Sequence, residues 1–263
     1  MYDSSTQIPT LDLDSVSKPI SSARGMPGST YTDPKLFSFE REHVLGKTWA
    51  GLAFTSELPL NGSLLPVDFM GLPLLVTRTH EGQINVFHNV CSHRGMMLVS
   101  TAQDQSRGVR CPYHSWFYDL DGVLKSTPQI GGSGVHVLED FSCAENNLKP
   151  VRCHLWMGII FINLSADAED FANFIGPLEE RWAPLMGNAG VSQLTVPSAQ
   201  GPIAIEVVAN WKLAVENYCE AYHLPWVHPA LNSYSPLDKH YNIVVAKNMS
   251  GQGSYAYTLC DVA

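Results

Sequence analysis

Cys91-Ser92-His93-Arg94-Gly95 and, after 17 residues that follow His93, Cys111-Pro112-Tyr113-His114 are the stretch that decides the fold. Each segment carries one cysteine and one histidine, spaced as C-x-H and C-x-x-H. Two short loops that each donate a thiolate and an imidazole suit a [2Fe–2S] cluster held by two Cys on one iron and two His on the other. Cys2His2 also suits tetrahedral zinc, but zinc fingers usually pair Cys with Cys on one loop and His with His on the other. The alternation favours the cluster, with Cys91, His93, Cys111 and His114 as its ligands.

Outward from these loops the texture is that of short strands. Trp49–Phe54, Leu64–Met70, Leu72–Thr77 and Ile84–Phe87 are apolar and rich in β-formers, with His80-Glu81-Gly82 as a hairpin turn. Ser115–Asp119 and Val123–Lys125 flank Asp121-Gly122 as a second hairpin, and Leu155–Asn163 reads as one continuous apolar strand. Residues 45–165 are thus expected to form an antiparallel β domain with the cluster ligands at loop tips. Before it, residues 1–30 are polar with several prolines and read as an arm. Asp33-Pro34 is an N-cap followed by Pro at the first helical position, opening a helix over 34–46.

After the β domain, 167–186 reads helical, Ile203–Val208 as a short strand, Asn210–Tyr222 as a helix ended by Pro225, and Ser254–Leu259 as a strand. The helix carries a second constellation: Glu216, Glu220, His223 and His228. His223 and His228 lie about 140° apart on an ideal helix, so they converge only if Pro225 bends the chain between them. Two His and a carboxylate with open positions form the facial triad of non-haem Fe(II) oxygenases. E-x-x-H-x-x-x-x-H is weak alone. It gains weight beside an electron-transfer cluster, which needs an acceptor.

C-x-H-R-G and C-P-Y-H-x-W resemble the Rieske motif of ring-hydroxylating oxygenase α subunits, with Ser115 where that motif usually has Gly. The stretch N-W-K-x-x-x-E-N-x-x-E-x-Y-H-x-x-x-x-H from Asn210 to His228 resembles the catalytic segment of the same family. The resemblance runs from about residue 24. It implies an α+β class: an antiparallel β Rieske domain with [2Fe–2S] loops (45–165), inserted in an incomplete α/β helix-grip-like catalytic domain. To that domain it assigns the N-terminal arm and helix (1–44) and residues 166–263. It implies that His223 and His228 bind a mononuclear Fe(II). It places Glu220 as the acid linking His223 to the cluster ligand His114 of a neighbouring subunit, with Glu216 as the alternative. The family's third iron ligand is an acid far downstream of the second His. Only Asp238 and Asp261 follow His228, and both come too early. That ligand is therefore expected to be absent, the sequence to be truncated at its carboxyl end and the mononuclear site to be poorly filled.

By the same resemblance the protein is the terminal oxygenase of a multicomponent system. NAD(P)H reduces a separate reductase, with or without a ferredoxin; the cluster passes electrons to Fe(II), which activates O2 toward a small substrate. The complete protein is expected to be a homotrimer. Glu as the linking acid, and the spacing to His228-Pro229, look more like oxygenases and demethylases of quaternary ammonium compounds. Aromatic-ring dioxygenation is the runner-up. A trimethylammonium group calls for an aromatic cage, for which Tyr218, Tyr222, Trp226 and Tyr234 are candidates, as they are for ordinary packing. A Rieske electron carrier without catalysis explains 45–165 but leaves the histidine pair unused. A Rieske subunit of a membrane complex would carry an extra Cys on each loop, where Met96 and Tyr113 stand.

Composition bounds the rest. A net charge of −9 argues against a nucleic-acid partner, and no apolar run approaches the ~20 residues of a bilayer span. The N-terminus has no signal-like segment, so the expected setting is cytoplasmic. There Cys143, Cys153, Cys219 and Cys260 are ordinary thiols. Arg94, Arg107 and Arg110 give the cluster loops a local basic rim on which an acidic electron donor can dock.

Overall fold

A computed structural model of the protein describes residues 14–165, 167–186, 202–247 and 249–255. Expectations for residues 1–13, Gly187, 256–259, Cys260 and Asp261 fall outside that range. The chain divides into two compact units: Arg41–Phe171 with Met186–Ala204, and Met1–Glu40 with Ala172–Leu185 and Ile205–Ala263.

The first unit is built on antiparallel strands: β1 (Ala50–Phe54), β2 (Leu64–Phe69), β3 (Leu72–Arg78), β4 (Ile84–His88), β5 (Val109–Arg110), β6 (Phe117–Tyr118), β7 (Leu124–Ser126), β8 (Pro150–Trp156) and β9 (Ile159–Asn163). Six of them form one sheet in the order β1-β9-β8-β4-β3-β2; β5, β6 and β7 form a second. Side chains alternate across a strand with period two, and this sheet buries both sets. Leu74 and Val76 of β3 and Val86 of β4 pack into one core with Ala53, Leu58, Ile160 and Ile162. Leu75 and Phe87, one step along the same strands, pack into a second core with Cys91, Cys111, Trp116 and Tyr118. The cluster loops therefore rest on one face of the large sheet.

Two local devices hold them there. Asn89, 1% exposed, donates from Nδ2 to Val99 O at 2.7 Å and accepts from Val99 N–H at 3.0 Å, pinning the first loop at its base. Gly122, at φ 75°, turns the second hairpin where an added Cβ would stand 2.5 Å from the Phe87 ring, so only glycine fits.

One expected strand is two. Leu155–Asn163 is broken at Met157 (φ 51°) and Gly158 (φ 77°), which turn β8 back into β9. Two consecutive left-handed residues are what a tight hairpin needs; methionine at the first concealed the signal.

The second unit contains α1 (Ser29–Thr32), α2 (Pro34–Glu40), most of α3 (Phe171–Met186), α4 (Trp211–Tyr218), α5 (Leu224–Val227), α6 (Pro229–Tyr234) and the antiparallel pair β10 (His240–Ala246) and β11 (Met249–Ser254). Asp33 caps α2 by accepting from Lys35 N–H at 2.8 Å, and beyond Glu40 the helix continues only as the π-helical turn Arg41–Leu45. Ile203–Val208 is not a strand: among the described residues nothing pairs with it. The helix expected over Asn210–Tyr222 starts as predicted, with Asn210 accepting from Lys212 N–H at 3.1 Å, but stops at Tyr218. Pro225 does not end it. It lies in the first turn of α5, where a missing N–H costs nothing. No helix of the described residues is long and apolar enough to cross a membrane.

Candidate metal centres

The two cluster loops share one backbone pattern. Cys91 N–H donates to Met96 O at 2.8 Å, and Gly95 N–H to Cys91 O at 2.9 Å; Cys111 N–H donates to Trp116 O at 2.8 Å, and Ser115 N–H to Cys111 O at 3.0 Å. Gly95 (φ 69°) and Ser115 (φ 58°) are equivalent positions, both left-handed. Ser115 thus sits in a conformation that disfavours a side chain by about 1–2 kcal/mol, partly offset because glycine also loosens the unfolded chain. Ser115→Gly is expected to stabilise the metal-free protein by about 0.5–1 kcal/mol, read as a higher urea midpoint.

The four candidate ligand side chains segregate by chemistry. Cys91 and Cys111 are each 2% exposed and close enough to interact, whereas His93 and His114 are half-buried with ring centroids 4.7 Å apart. Sulfur beside sulfur and imidazole beside imidazole is the arrangement of a binuclear centre. His114 Nδ1 is buried and, among the described residues, has no hydrogen-bond partner. That is how a metal-ligating nitrogen presents itself, and these residues fit a [2Fe–2S] group. The Trp116 ring stacks on His93 at 4.7 Å and fixes its plane. Burial pushes the Cys91 thiol up, with Cys111 adding to it, while Tyr118 and the His93 backbone pull it down. Burial, then the charges of His114 and Arg94, hold His93 below the usual imidazole range.

Tyr118 is a residue that the sequence did not single out. It is fully buried, with Oη 3.3 Å from Cys91 Sγ. Burial and the neighbouring Cys91 push its hydroxyl far above the usual range, so it remains an O–H donor. A hydrogen bond to a cluster sulfur stabilises the reduced, more negative state. Tyr118→Phe is accordingly expected to lower the cluster's midpoint potential in an EPR-monitored redox titration; an unchanged potential would reduce Tyr118 to packing.

At the second constellation, the turn between α4 and α5 does what a straight helix cannot. His223 caps α5 and His228 follows it in a non-helical conformation (φ −127°, ψ 58°), bringing the ring centroids within 5.4 Å. Glu220, in the turn and not on the helix, reaches both backbone and ring. Its Oε2 accepts from Tyr222 N–H at 2.7 Å, and its Oε1 pairs with His223 Nδ1. A carboxylate on one imidazole nitrogen orients the ring and leaves the other for a metal, so the pair fits a mononuclear ion. Among the described residues no three His, Cys, Asp or Glu converge on one ion. Glu216 is engaged elsewhere, accepting from Tyr31 Oη at 2.8 Å.

Comparison with known proteins follows the same division. Residues 48–142 match the Rieske [2Fe-2S] domain, and residues 198–261 match the catalytic domain of the ring hydroxylating alpha subunit. The chain belongs to the Rieske ring-hydroxylating oxygenase family. It is 35% identical over 207 residues to the oxygenase subunit of glycine betaine monooxygenase from Pseudomonas aeruginosa, covering 78% of this chain and 45% of that protein. It is 31% identical to the large subunit of anthranilate 1,2-dioxygenase from Acinetobacter baylyi, covering 75% and 41%. Among solved structures, a quaternary ammonium Rieske monooxygenase, described for carnitine oxidation and inter-subunit electron transfer, superposes with a TM-score of 0.74 at 26% identity, covering 89% of this chain and 61% of the other. The chain thus spans about half the length of these Rieske oxygenases.

Other expected residues are placed unevenly. Of the four candidate cage aromatics, Tyr218 lines a cavity with His223 and His228; Tyr222 and Trp226 are exposed and line neither that cavity nor its neighbour. Arg110 serves its own loop, donating to Ser115 O at 3.2 Å and lying over the Phe117 ring, whereas Arg94 and Arg107 are exposed. Glu40 went unread: it accepts from Lys212 Nζ at 2.8 Å and from Trp211 Nε1 at 3.0 Å. Its only signal lay in residues 172 positions away.

Proposed function

We propose that the protein acts as the oxygenase component of a multicomponent Rieske system whose substrate is a trimethylammonium carboxylate of the glycine betaine or carnitine kind. In this reading Cys91, His93, Cys111 and His114 hold the [2Fe–2S] cluster within a Rieske domain over 45–165. His223 and His228 hold Fe(II) within catalytic portions 1–44 and 166–263. The cluster supplies one-electron transfer and the iron supplies O2 activation. The protein's own groups have simpler tasks: Trp116 fixes the His93 plane, Tyr118 donates to Cys91, and Glu220 orients His223. A reductase or ferredoxin fed by NAD(P)H delivers electrons, a homotrimer brings Glu220 to a neighbour's His114, and the setting is cytoplasmic. The observation that supports this most is Glu220 on His223 beside His228, together with a cluster-type ligand set in the same polypeptide.

The test supplies NADH, a reductase-type donor and glycine betaine, and follows O2 uptake. Betaine-dependent uptake is expected. Glu220→Gln is expected to keep the cluster's EPR signal while its reoxidation under substrate and O2 slows at least tenfold. Cluster reduction without any betaine dependence would make the protein an electron carrier only. A second reading, oxidation of an aromatic acid, draws on the likeness to anthranilate 1,2-dioxygenase; anthranilate-dependent uptake in the same assay would establish it.

A further inference from the structure

The loop that follows β7 is strained at one residue and tied shut by one histidine. Among the described residues, the hydrogen bonds of 128–136 run within the loop itself, between Thr127 and His136. Gly132 and Gly134 stand at φ 109° and 79°, so the chain bends there without crowding a side chain. Gln129 has no such freedom. It sits at φ 59°, in the left-handed region that disfavours a side chain. Beneath the loop lies a cavity of about 270 Å³, with Lys125, Thr127, His136, Leu138, Phe141 and Cys143 among its walls. Ile130 and Phe141 pack against the core that contains Cys91, Cys111 and Trp116, and Phe141 meets the Trp116 ring edge-on at 5.5 Å.

The bond that holds Gln129 has one direction only. Gln129 N–H donates to His136 Nδ1 at 3.1 Å. A backbone N–H cannot accept, so Nδ1 accepts and carries no proton. Protonation puts an N–H where the acceptor was, facing the N–H of Gln129. The bond is then lost, and nothing remains to hold the left-handed residue in place. Histidine is the side chain that takes on its charge between about pH 8 and pH 5. The closed loop therefore belongs to the neutral ring and is lost as the pH falls. Lys125 and Cys143 share the cavity with His136, and Lys125 is itself paired with Asp119 at 2.9 Å. Glu139 and Asp140 lie on the same loop, and Glu145 on the turn Ala144–Asn146 that follows Cys143. None of them takes Nδ1, whose partner among the described residues is the Gln129 N–H.

We propose that His136 is a pH-sensitive latch. Neutral, it holds the 128–141 loop closed over the cavity and over the Phe141–Trp116 contact; protonated, it releases the loop. Trp116 stacks on His93 at 4.7 Å, so the loop covers the packing behind a candidate cluster ligand. Acid then loosens that packing from a distance, through the loop. The latch stands on the loop's own geometry and holds whatever the substrate is. One exposed hydrogen bond and one strained residue give a modest effect, so opening is expected to rise roughly tenfold.

The test is hydrogen–deuterium exchange of residues 127–141 in the purified protein, read by mass spectrometry at about pH 8 and about pH 5 and corrected for the intrinsic effect of pH. Residues 72–88, on β3 and β4, serve as the internal control. His136→Asn sets an amide oxygen near the place of Nδ1 and does not titrate. His136→Phe keeps a ring and has no acceptor. The expected result is a wild-type loop that exchanges roughly tenfold faster at the lower pH while the control is unchanged. The asparagine variant should stay protected at both values and the phenylalanine variant should be open at both. An asparagine variant open at both still removes the pH response with the histidine, and supports the latch. A wild-type loop equally protected at both values overturns it. So does an asparagine variant that repeats the wild-type response, or a phenylalanine variant that stays closed. Parallel loss of protection in the control segment means general unfolding in acid, and overturns it as well.

Discussion

Cys91→Ser is expected to abolish the Rieske-type EPR signal of the reduced protein. The thiolate is a soft donor suited to iron–sulfur ligation, and a serine hydroxyl is not. Among the described thiols Cys111 is the other candidate ligand, Cys143 packs against the core beneath the loops, and Cys153 belongs to the other core. Cys153→Ser, at a thiol 3.8 Å from Ile84 O on the large sheet, is the control and should leave the signal intact. His114→Ala should match Cys91→Ser, since it deletes a buried nitrogen that has no hydrogen-bond partner among the described residues. A signal that survives Cys91→Ser or His114→Ala would mean that the ligands have been misassigned.

Lys212→Met is expected to destabilise the second unit by about 3–5 kcal/mol, because it leaves a carboxylate buried without its counter-charge. The Glu40 and Lys212 side chains are 11% and 12% exposed, and Lys212 Nζ lies 2.8 Å from both Glu40 oxygens. A pair this buried is screened little by solvent or salt. Adding Glu40→Gln to Lys212→Met should recover more than half of the loss. The amide removes the stranded charge and its oxygen still accepts from Trp211 Nε1. Urea midpoints for the wild type, the single variant and the double variant decide the matter: a double variant no better than the single one would place the loss in Lys212's packing.

Legibility of the sequence followed the range of the interactions. The Rieske domain was readable because its two Cys/His loops, the candidate ligand set, lie within 24 residues and alternate as C-x-H and C-x-x-H. The strands before them were readable from β-forming runs separated by glycine turns. The β8–β9 hairpin was not, because Met157 occupies a left-handed turn position that composition assigns to glycine or asparagine. The approach of His223 to His228 was half-readable. Pro225 marked a change of direction between His223 and His228, but whether it closed one helix or opened another depended on where α4 ended. That end is fixed by the Glu220 turn and not by the proline. Glu40 and Tyr118 left no local trace, since each matters through contacts made at a distance.

The partnership of Glu40 with Lys212 also orders events in time. Residues 41–171 carry strands β1–β9 in one contiguous stretch, whereas Glu40 is made first and Lys212 is its partner 172 residues later. At translation rates of 5–20 residues per second, that separation is on the order of 10–30 s. By the end of this interval strands β1–β9 and the four candidate cluster ligands have all been made, while the acid of the N-terminal helix still awaits its partner. Synthesis therefore completes the strands that carry the candidate cluster loops before the segment with His223 and His228 exists.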